Sequence, residues 1–179
     1  FSLCLTACSG EDGPQTKAVL TKTFQKYGLP QRITCDNGAP WGTAGHKTIS
    51  RLEVWLIRLG IRVSHSSAHH PQTQGKDERF HRTLKRELLE RFGFGSLAAC
   101  QDAFDAWRDQ YNLVRPHEAL GQQAPATRYK PSARSFPSHL PSIEYDDGDI
   151  VRTVQRHGQI SFKGRTCFVG EGLYQEPVA

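Results

Sequence analysis

The stretch "YGLPQRITCDNG", residues 27–38, decides the fold of this chain. Gly28 and Pro30 end the helix before them, because glycine accepts the left-handed backbone of a helix cap and proline cannot continue a helix. The β-branched residues of "RITC" then predict a short strand, and "DNG" predicts a tight turn directly after it. A helix followed at once by a strand and a turn is typical of an α/β domain.

Hydrophobic spacing on both sides of this stretch predicts the neighbouring elements. We expect helices at about 15–27, 48–59, 75–91 and 97–112, and strands at 1–7, 31–35 and 61–65. In the helix at 48–59 the apolar face is centred on Leu52 and Leu56 and is broadened by Val54, Trp55 and Ile57. The alternation of strands and helices indicates a mainly parallel sheet.

A change of composition divides the chain. Residues 130–142, "KPSARSFPSHLPS", contain three prolines and four serines, which is the composition of a linker. We therefore assign residues 1–129 to a core with a helix after it, and residues 143–179 to a small β unit. The short strands of that unit are separated by glycine-containing turns.

Bulk composition limits the classes of function. The 179 residues carry a net charge of +5 and a pI near 9.1, which permits a polyanionic partner. The chain has no apolar run approaching the roughly 20 residues that cross a bilayer, so we expect no membrane partner. The five cysteines follow no disulfide or zinc pattern, which indicates reduced thiols in the cytoplasm.

Two acidic residues are candidates for chemistry. Asp36 follows a strand at its C-terminal end, the edge where ligands bind in open α/β sheets, but an aspartate in a turn also serves the backbone alone. Glu78 begins a helix whose buried stripe would be Phe80, Leu84 and Leu88. Among so many Arg and Lys residues, Glu78 could equally be a solvated helix charge.

The combination of two stretches settles this choice. "YGLPQRITCDNG" and "HHPQTQGKDERFHRTLKREL" (69–88) together resemble the catalytic core of retroviral integrases and of related DDE-type transposases of bacterial insertion sequences. In that family a strand ends in Asp-Asn-Gly, and Pro-Gln-(Ser/Thr)-Gln-Gly precedes the helix with the last catalytic glutamate. Asp36 and Glu78 are the matching residues. "YNLVRPHEAL" (111–120) is similar to the element that follows the core in the bacterial enzymes.

The resemblance implies an RNase H-like fold and a metal-dependent reaction. Three acidic residues would hold two Mg²⁺ or Mn²⁺ ions for in-line displacement at a phosphodiester, with Asp36 and Glu78 as two catalytic metal ligands. The loop and helix around Glu78 would contact DNA, chiefly at its phosphates. The residues expected to do so are His70, Gln72, Gln74, Lys76, Arg79, Arg82, Lys85 and Arg86.

The first acidic residue of the family lies on the first strand of the sheet. Here "FSLCLTACSG" (1–10) matches the third strand, so we expect an N-terminally truncated chain whose fold lacks the first strands. In the family topology Glu11 and Asp12 would lie roughly 14 Å from Asp36, too far to complete a two-metal site. With its neighbouring strands absent, the chain should fold poorly or leave the strand at 1–7 unpaired.

We therefore expect a transposase that cleaves and joins DNA, with a C-terminal β unit resembling the small β domain of integrases. Its partners would be transposon ends and target DNA, bound by a homo-oligomer in the bacterial cytoplasm, in association with the nucleoid. No small-molecule substrate is expected. The alternatives are an RNase H-like nuclease that hydrolyses without joining, and an inactive DNA-binding remnant, since one acid of the triad is missing.

Overall fold

The computed structural model of the chain describes residues 1–36, 38–41, 48–65 and 71–179, with the side chains of 71–74 excluded. Its helices are α1 (Gly13–Tyr27), α2 (Arg51–Arg58), α3 (Pro71–Leu84) and α4 (Leu97–Asp109). The strands are β1 (Arg32–Cys35), β2 (Arg62–His65), β3 (Arg152–Thr153), β4 (Gln159–Phe162), β5 (Arg165–Phe168) and β6 (Pro177–Val178). Single π-helical turns follow α3 (Lys85–Leu89) and α4 (Gln110–Val114).

The unit β1–α2–β2 is the centre of the fold. β1 and β2 pair in parallel, with Cys35 opposite His65 at their carboxyl ends. Gly28 follows α1 with a φ of 80°, as the cap prediction required. α2 begins at a reciprocal capping box, in which Ser50 and Glu53 each accept a hydrogen bond from the backbone N–H of the other. The parallel pairing, α1 and α2 confirm the sequence prediction for this part of the chain.

The first hydrophobic core lies between α1, α2 and these strands. Its buried residues are Phe24, Leu29, Leu52, Trp55, Leu56, Leu59 and Ile61. The prediction for Ile57 was wrong, because this side chain is 51% exposed. Helical periodicity places Ile57 on the side of α2 away from the buried residues Leu56 and Leu59, so its side chain is exposed to solvent.

A second hydrophobic core joins α3 to α4. Leu84, Leu88 and Phe104 are buried there, and Trp107 packs against them. α3 begins at Pro71, earlier than the predicted start at 75, since proline is well tolerated in the first turn of a helix. Its π turn at Lys85–Leu89 widens the helix at the level of this core.

Residues 1–8 form no helix and pair with no strand, which confirms that this segment stays unpaired but shows that the strand predicted at 1–7 does not form. Leu5 and Ala7 pack against the second core instead. The side-chain amide of Gln101 accepts from the Ala7 N–H and donates to the Leu5 carbonyl, each at 3.0 Å. Asn112 bonds both the N–H and the carbonyl of Ser2 at 2.8 Å. Side chains of α4 and its π turn thus supply hydrogen bonds that a neighbouring strand would otherwise provide.

Residues 130–142 are bound to the core, and their role as a linker between two units stays a prediction. The Arg134 guanidinium donates to the carbonyls of Pro30, Leu59 and Gly60 at 2.8–3.1 Å. Its own carbonyl accepts from the Leu29 N–H at 2.7 Å. Phe136 packs against the first core. The proline and serine content therefore predicts the absence of helix and strand in this segment. It does not predict that hydrogen bonds hold the segment against the core.

The C-terminal segment pairs its strands antiparallel, β3 with β6 and β4 with β5. The pairing of β4 with β5 around Gly164 agrees with the predicted short strands separated by glycine-containing turns. The segment packs on α2, where Arg58 bonds Glu176 at 3.0 Å and the Gly172 backbone lies against Ile49 and Ser50. Whether residues 143–179 form a separate domain stays a prediction. Within the described residues, no helix is both long and apolar enough to cross a membrane.

Candidate active site and nucleic-acid interface

Asp36 lies where the sequence placed it, directly after β1 at the carboxyl end of the parallel pair. The residue is exposed, and its Oδ1 accepts a hydrogen bond from the Gly38 N–H at 3.1 Å. This bond is an Asx turn, the backbone role expected of a turn aspartate. An exposed carboxylate at this edge of a sheet is also accessible to a cation or a phosphodiester.

His65, the last residue of β2, joins Asp36 to α2. Its Nε2 lies 2.6 Å from Oε1 of Glu53, and its Nδ1 lies 3.2 Å from the backbone carbonyl of Asp36. Glu53 is buried, and its other oxygen accepts from the Ser50 N–H at 2.7 Å. The strand that carries Asp36 is therefore linked through an imidazole to a fixed carboxylate in the core.

The Glu53 carboxylate oxygen and the Asp36 carbonyl, which lie nearest to the two ring nitrogens of His65, are both hydrogen-bond acceptors. The imidazole satisfies the two at once only when both nitrogens carry protons. The hydrogen bond to Glu53 raises the pKa of His65 above its ordinary value, against the opposing effect of burial. The geometry and the direction of this shift both favour the protonated form of the ring over the neutral one.

Glu78 lies on the outer face of α3. The predicted buried stripe of that helix is confirmed for Leu84 and Leu88, and Phe80 is half-buried against Trp107 and Tyr111. Helical spacing places Glu78 on the opposite side of α3. Arg82 and Lys85 share that side, and the exposed cations Arg79 and Arg86 flank it. We name the surface defined by these four cations the α3 basic face; Lys85 also lies 4.0 Å from Glu90.

Of the other residues predicted to contact DNA, the structure describes the side chain of Lys76 alone. Lys76 is exposed in the first half of α3. His70 lies outside the described residues, and so do the side chains of Gln72 and Gln74, although their backbone is in α3. Their contact with DNA stays a prediction.

The described contacts do not join Asp36 to Glu78. Among the described residues, no three His, Cys, Asp or Glu side chains are grouped closely enough to hold a metal ion. The two carboxylates are the oxygen donors that Mg²⁺ prefers, and both are exposed, so their chemistry fits the predicted metal. Asp12, by contrast, caps α1 by accepting from the Gln15 N–H at 2.7 Å. The pairing of Asp36 with Glu78 at one site stays a prediction.

The π turn after α3 is tied to the segment after α4. Arg115 donates to both oxygens of Glu87, and the Trp107 indole donates to one of them at 3.0 Å. Tyr111 packs edge-on against Phe80 and His117. These contacts hold α3, and with it the α3 basic face, against α4.

Sequence reasoning missed Glu53 and His65. The signal for Glu53 was present, because Ser50 and Glu53 have the spacing of a capping box. The helix pattern counted only apolar residues, so a buried carboxylate among them was overlooked. His65 was predicted as the end of a strand, and its position opposite Cys35 became evident only from the register of the pair.

The chain is similar in sequence to one protein family and to proteins of bacterial insertion elements. Residues 59–125 match the family described as the integrase core domain. The chain is 27% identical over 117 residues to an uncharacterized 31.7 kDa protein of insertion element IS407 from Burkholderia multivorans. It is 29% identical over 117 residues to an uncharacterized 39.2 kDa protein of insertion element IS476 from Xanthomonas euvesicatoria. Each match covers 65% of this chain, and they cover 40% and 32% of the two relatives.

Viral proteins are similar as well. A Pol polyprotein of Radiation murine leukemia virus is 33% identical over 75 residues, which are 42% of this chain and 12% of that protein. A chain in the cryo-EM structure of a simian T-cell lymphotropic virus intasome, in complex with PP2A regulatory subunit B56 gamma, superposes with a TM-score of 0.54. The match has 16% identity and covers 78% of this chain and 48% of that chain. This likeness agrees with the RNase H-like α/β fold implied by the sequence.

Proposed function

We propose, on the premise that the chain carries an integrase core of the kind found in bacterial insertion elements, that it acts in the cleavage and joining of DNA. The observation that carries the proposal is the placement of Glu78 within the α3 basic face. An acidic residue on the same helix surface as several exposed cations suits a site where a phosphodiester backbone approaches a metal ion. The chain spans less than half of the relatives it matches, so the activity of the whole protein belongs to this proposal.

Asp36 and Glu78 would hold the divalent cation, Mg²⁺ or Mn²⁺, together with a third acidic ligand. When bound, such ions supply Lewis acidity for in-line displacement at the phosphodiester. The protein's own contribution is the position of the two carboxylates and the charge around them. Arg79, Arg82 and Lys85 would neutralise the phosphates on either side of the scissile bond.

DNA would be the partner, as the ends of the mobile element and as the target. Phosphate contacts along a helix carry no sequence information, so the α3 basic face would fix the position of the duplex rather than read its bases. We propose a homo-oligomer on DNA, because joining two ends to one target requires more than one active site.

Binding of a duplex oligonucleotide of arbitrary sequence tests the DNA interface. Fluorescence anisotropy over a series of salt concentrations should give a linear dependence of the logarithm of affinity on the logarithm of salt. Arg82→Ala should reduce the slope by about 0.9, the contribution of one phosphate contact. Lys22→Ala is the matched control, since Lys22 is an exposed cation on α1. Equal slopes for both variants and the parent would contradict the proposal.

A cleavage and joining assay with Mg²⁺ tests the chemistry. Asp36→Asn and Glu78→Gln should each abolish any activity of the parent, because each removes a charged metal ligand with little change of shape. Activity at the parent's level in either variant would overturn the assignment of that residue. Hydrolysis without joined products would favour an RNase H-like nuclease. DNA binding by a parent chain that forms neither product would favour a DNA-binding remnant.

A further inference from the structure

The imidazole of His65 spans the gap between α2 and the end of β1. One nitrogen contacts the Glu53 carboxylate at 2.6 Å, and the other contacts the Asp36 carbonyl at 3.2 Å. The Cys35 thiol lies 3.8 Å from the same Nδ1, so the contact is made at the last paired position of the strand.

Glu53 is a rigid anchor for this ring. The residue is buried between Leu52 and Val54, and both of its carboxylate oxygens are engaged, one by His65 and one by the Ser50 N–H. A side chain fixed at both oxygens loses its rotamer freedom on folding, before any ligand arrives.

Asp36 lies just outside the strand pairing. The ladder of β1 and β2 ends with Cys35 and His65, so the backbone of Asp36 has left the sheet. The His65 side chain contacts its carbonyl at this point, and the Gly38 N–H binds its carboxylate. The direction of the Asp36 carboxylate therefore depends on a contact that the sheet itself does not supply.

We propose that Glu53 and His65 are positioning residues, which hold the backbone of Asp36 so that its carboxylate points to the divalent cation. The inference rests on the metal role of Asp36 under the proposed function. Groups behind the ligands of a metal tune its affinity, because a displaced ligand binds more weakly. Neither residue touches the cation or DNA in this arrangement.

Two substitutions of His65 separate the two contacts of its ring. The side-chain nitrogen of asparagine can occupy the place of Nδ1 and donate to the Asp36 carbonyl, whereas it is too short to reach Glu53. Glutamine reaches Glu53 in the place of Nε2 and leaves the Asp36 carbonyl without its donor. Both replacements are neutral, so loss of the imidazole ring and of its ability to carry a positive charge is common to His65→Asn and His65→Gln.

Titration with Mn²⁺, followed by electron paramagnetic resonance of the free ion, measures the affinity of the chain for the metal. His65→Gln should raise the Kd about tenfold, and His65→Asn should leave it within about twofold of the parent, as expected when an orienting group is lost or kept. Equal affinities in the two variants, whether weakened or unchanged, would overturn the proposal.

Two further measurements separate the inference from the proposed function. Asp36→Asn should abolish the His65-dependent part of Mn²⁺ binding, and unchanged binding in this variant would overturn the metal role of Asp36. The NMR carbonyl shift of Asp36 needs no metal. It should move in His65→Gln and stay in place in His65→Asn, and the absence of this difference would overturn the positioning role independently.

Discussion

Arg115 donates hydrogen bonds of 2.5 and 2.6 Å to the two carboxylate oxygens of Glu87, and so joins the segment after α4 to the π turn after α3. The two residues are 28 positions apart in the chain. Their pairing fixes the position of α3 on its neighbour.

This pair predicts a dependence of stability on pH. Burial by itself would raise the pKa of Glu87, but the hydrogen bonds from Arg115 and Trp107 outweigh it and lower the pKa below the ordinary value of 4.5. A carboxyl group whose pKa is lowered in the folded state stabilises the fold above its unfolded pKa. That contribution is lost as the pH falls through the folded pKa. Urea unfolding from about pH 6 to about pH 3 should show the loss, and Glu87→Gln should reduce it. The same pH dependence in Glu87→Gln would contradict the prediction.

Arg134→Ala should destabilise the fold by about 2 kcal/mol, because the carbonyls of Pro30, Leu59 and Gly60 lose a charged donor. Leu59 and Gly60 lie at the end of α2, where carbonyls have no partner within the helix. Arg134→Lys should fall between the parent and the alanine variant, since an ammonium group cannot reproduce the planar fork. Denaturant unfolding measures the three proteins. An alanine variant as stable as the parent would show that residues 130–142 do not support the core.

Gly172→Ala should weaken the packing of the C-terminal segment on α2. A Cβ at this position would clash with the Ile49 carbonyl oxygen, a backbone atom that cannot move aside cheaply. We expect a loss of about 2 kcal/mol, typical of overpacking at a tight contact. Gly148→Ala is the matched control, because no atom lies within 4 Å of a Cβ built there. Limited proteolysis and thermal unfolding should distinguish the two variants, and similar behaviour of both would refute the contact.

Cys35 should resist alkylation in the folded protein. Burial, aided by the charges of Glu53 and Asp36, raises the pKa of its thiol from 9.0 to about 11, so very little thiolate is present near neutral pH. Cys8 and Cys167 are exposed. Treatment with iodoacetamide at about pH 8, followed by mass spectrometry, should label these two and spare Cys35 until denaturant is added. Equal labelling of all three in the native protein would contradict the burial of Cys35.

The sequence sufficed for the unit β1–α2–β2 because its boundaries are set by neighbouring residues. Gly28 and Pro30 mark the end of α1 and the approach to β1 through their own backbone preferences. The integrase resemblance likewise depended on short stretches whose order along the chain is informative. Asp36 was found by this route, at the end of the strand where it was expected.

Long-range partners could not be read in the same way. The alternation of residues 1–7 suggested a strand, but a strand requires a neighbour, and Gln101 and Asn112 from far along the chain bind this segment instead. Arg134 shows the same difficulty, because linker composition says nothing about a guanidinium that caps a helix more than seventy residues away. Glu53 and His65 became visible as a pair only once β2 had been placed beside β1.

The two amide side chains that bind residues 1–8 also determine the alignment of this segment. Each amide uses one N–H as a donor to a backbone carbonyl of the segment and its oxygen as an acceptor from a backbone N–H. Sliding the segment along α4 by one residue would turn the peptide groups of Leu5 and Ala7 away from Gln101, and sliding by two would remove Leu5 from the second core. Together, the two amides and the second core allow only one alignment of the segment along α4.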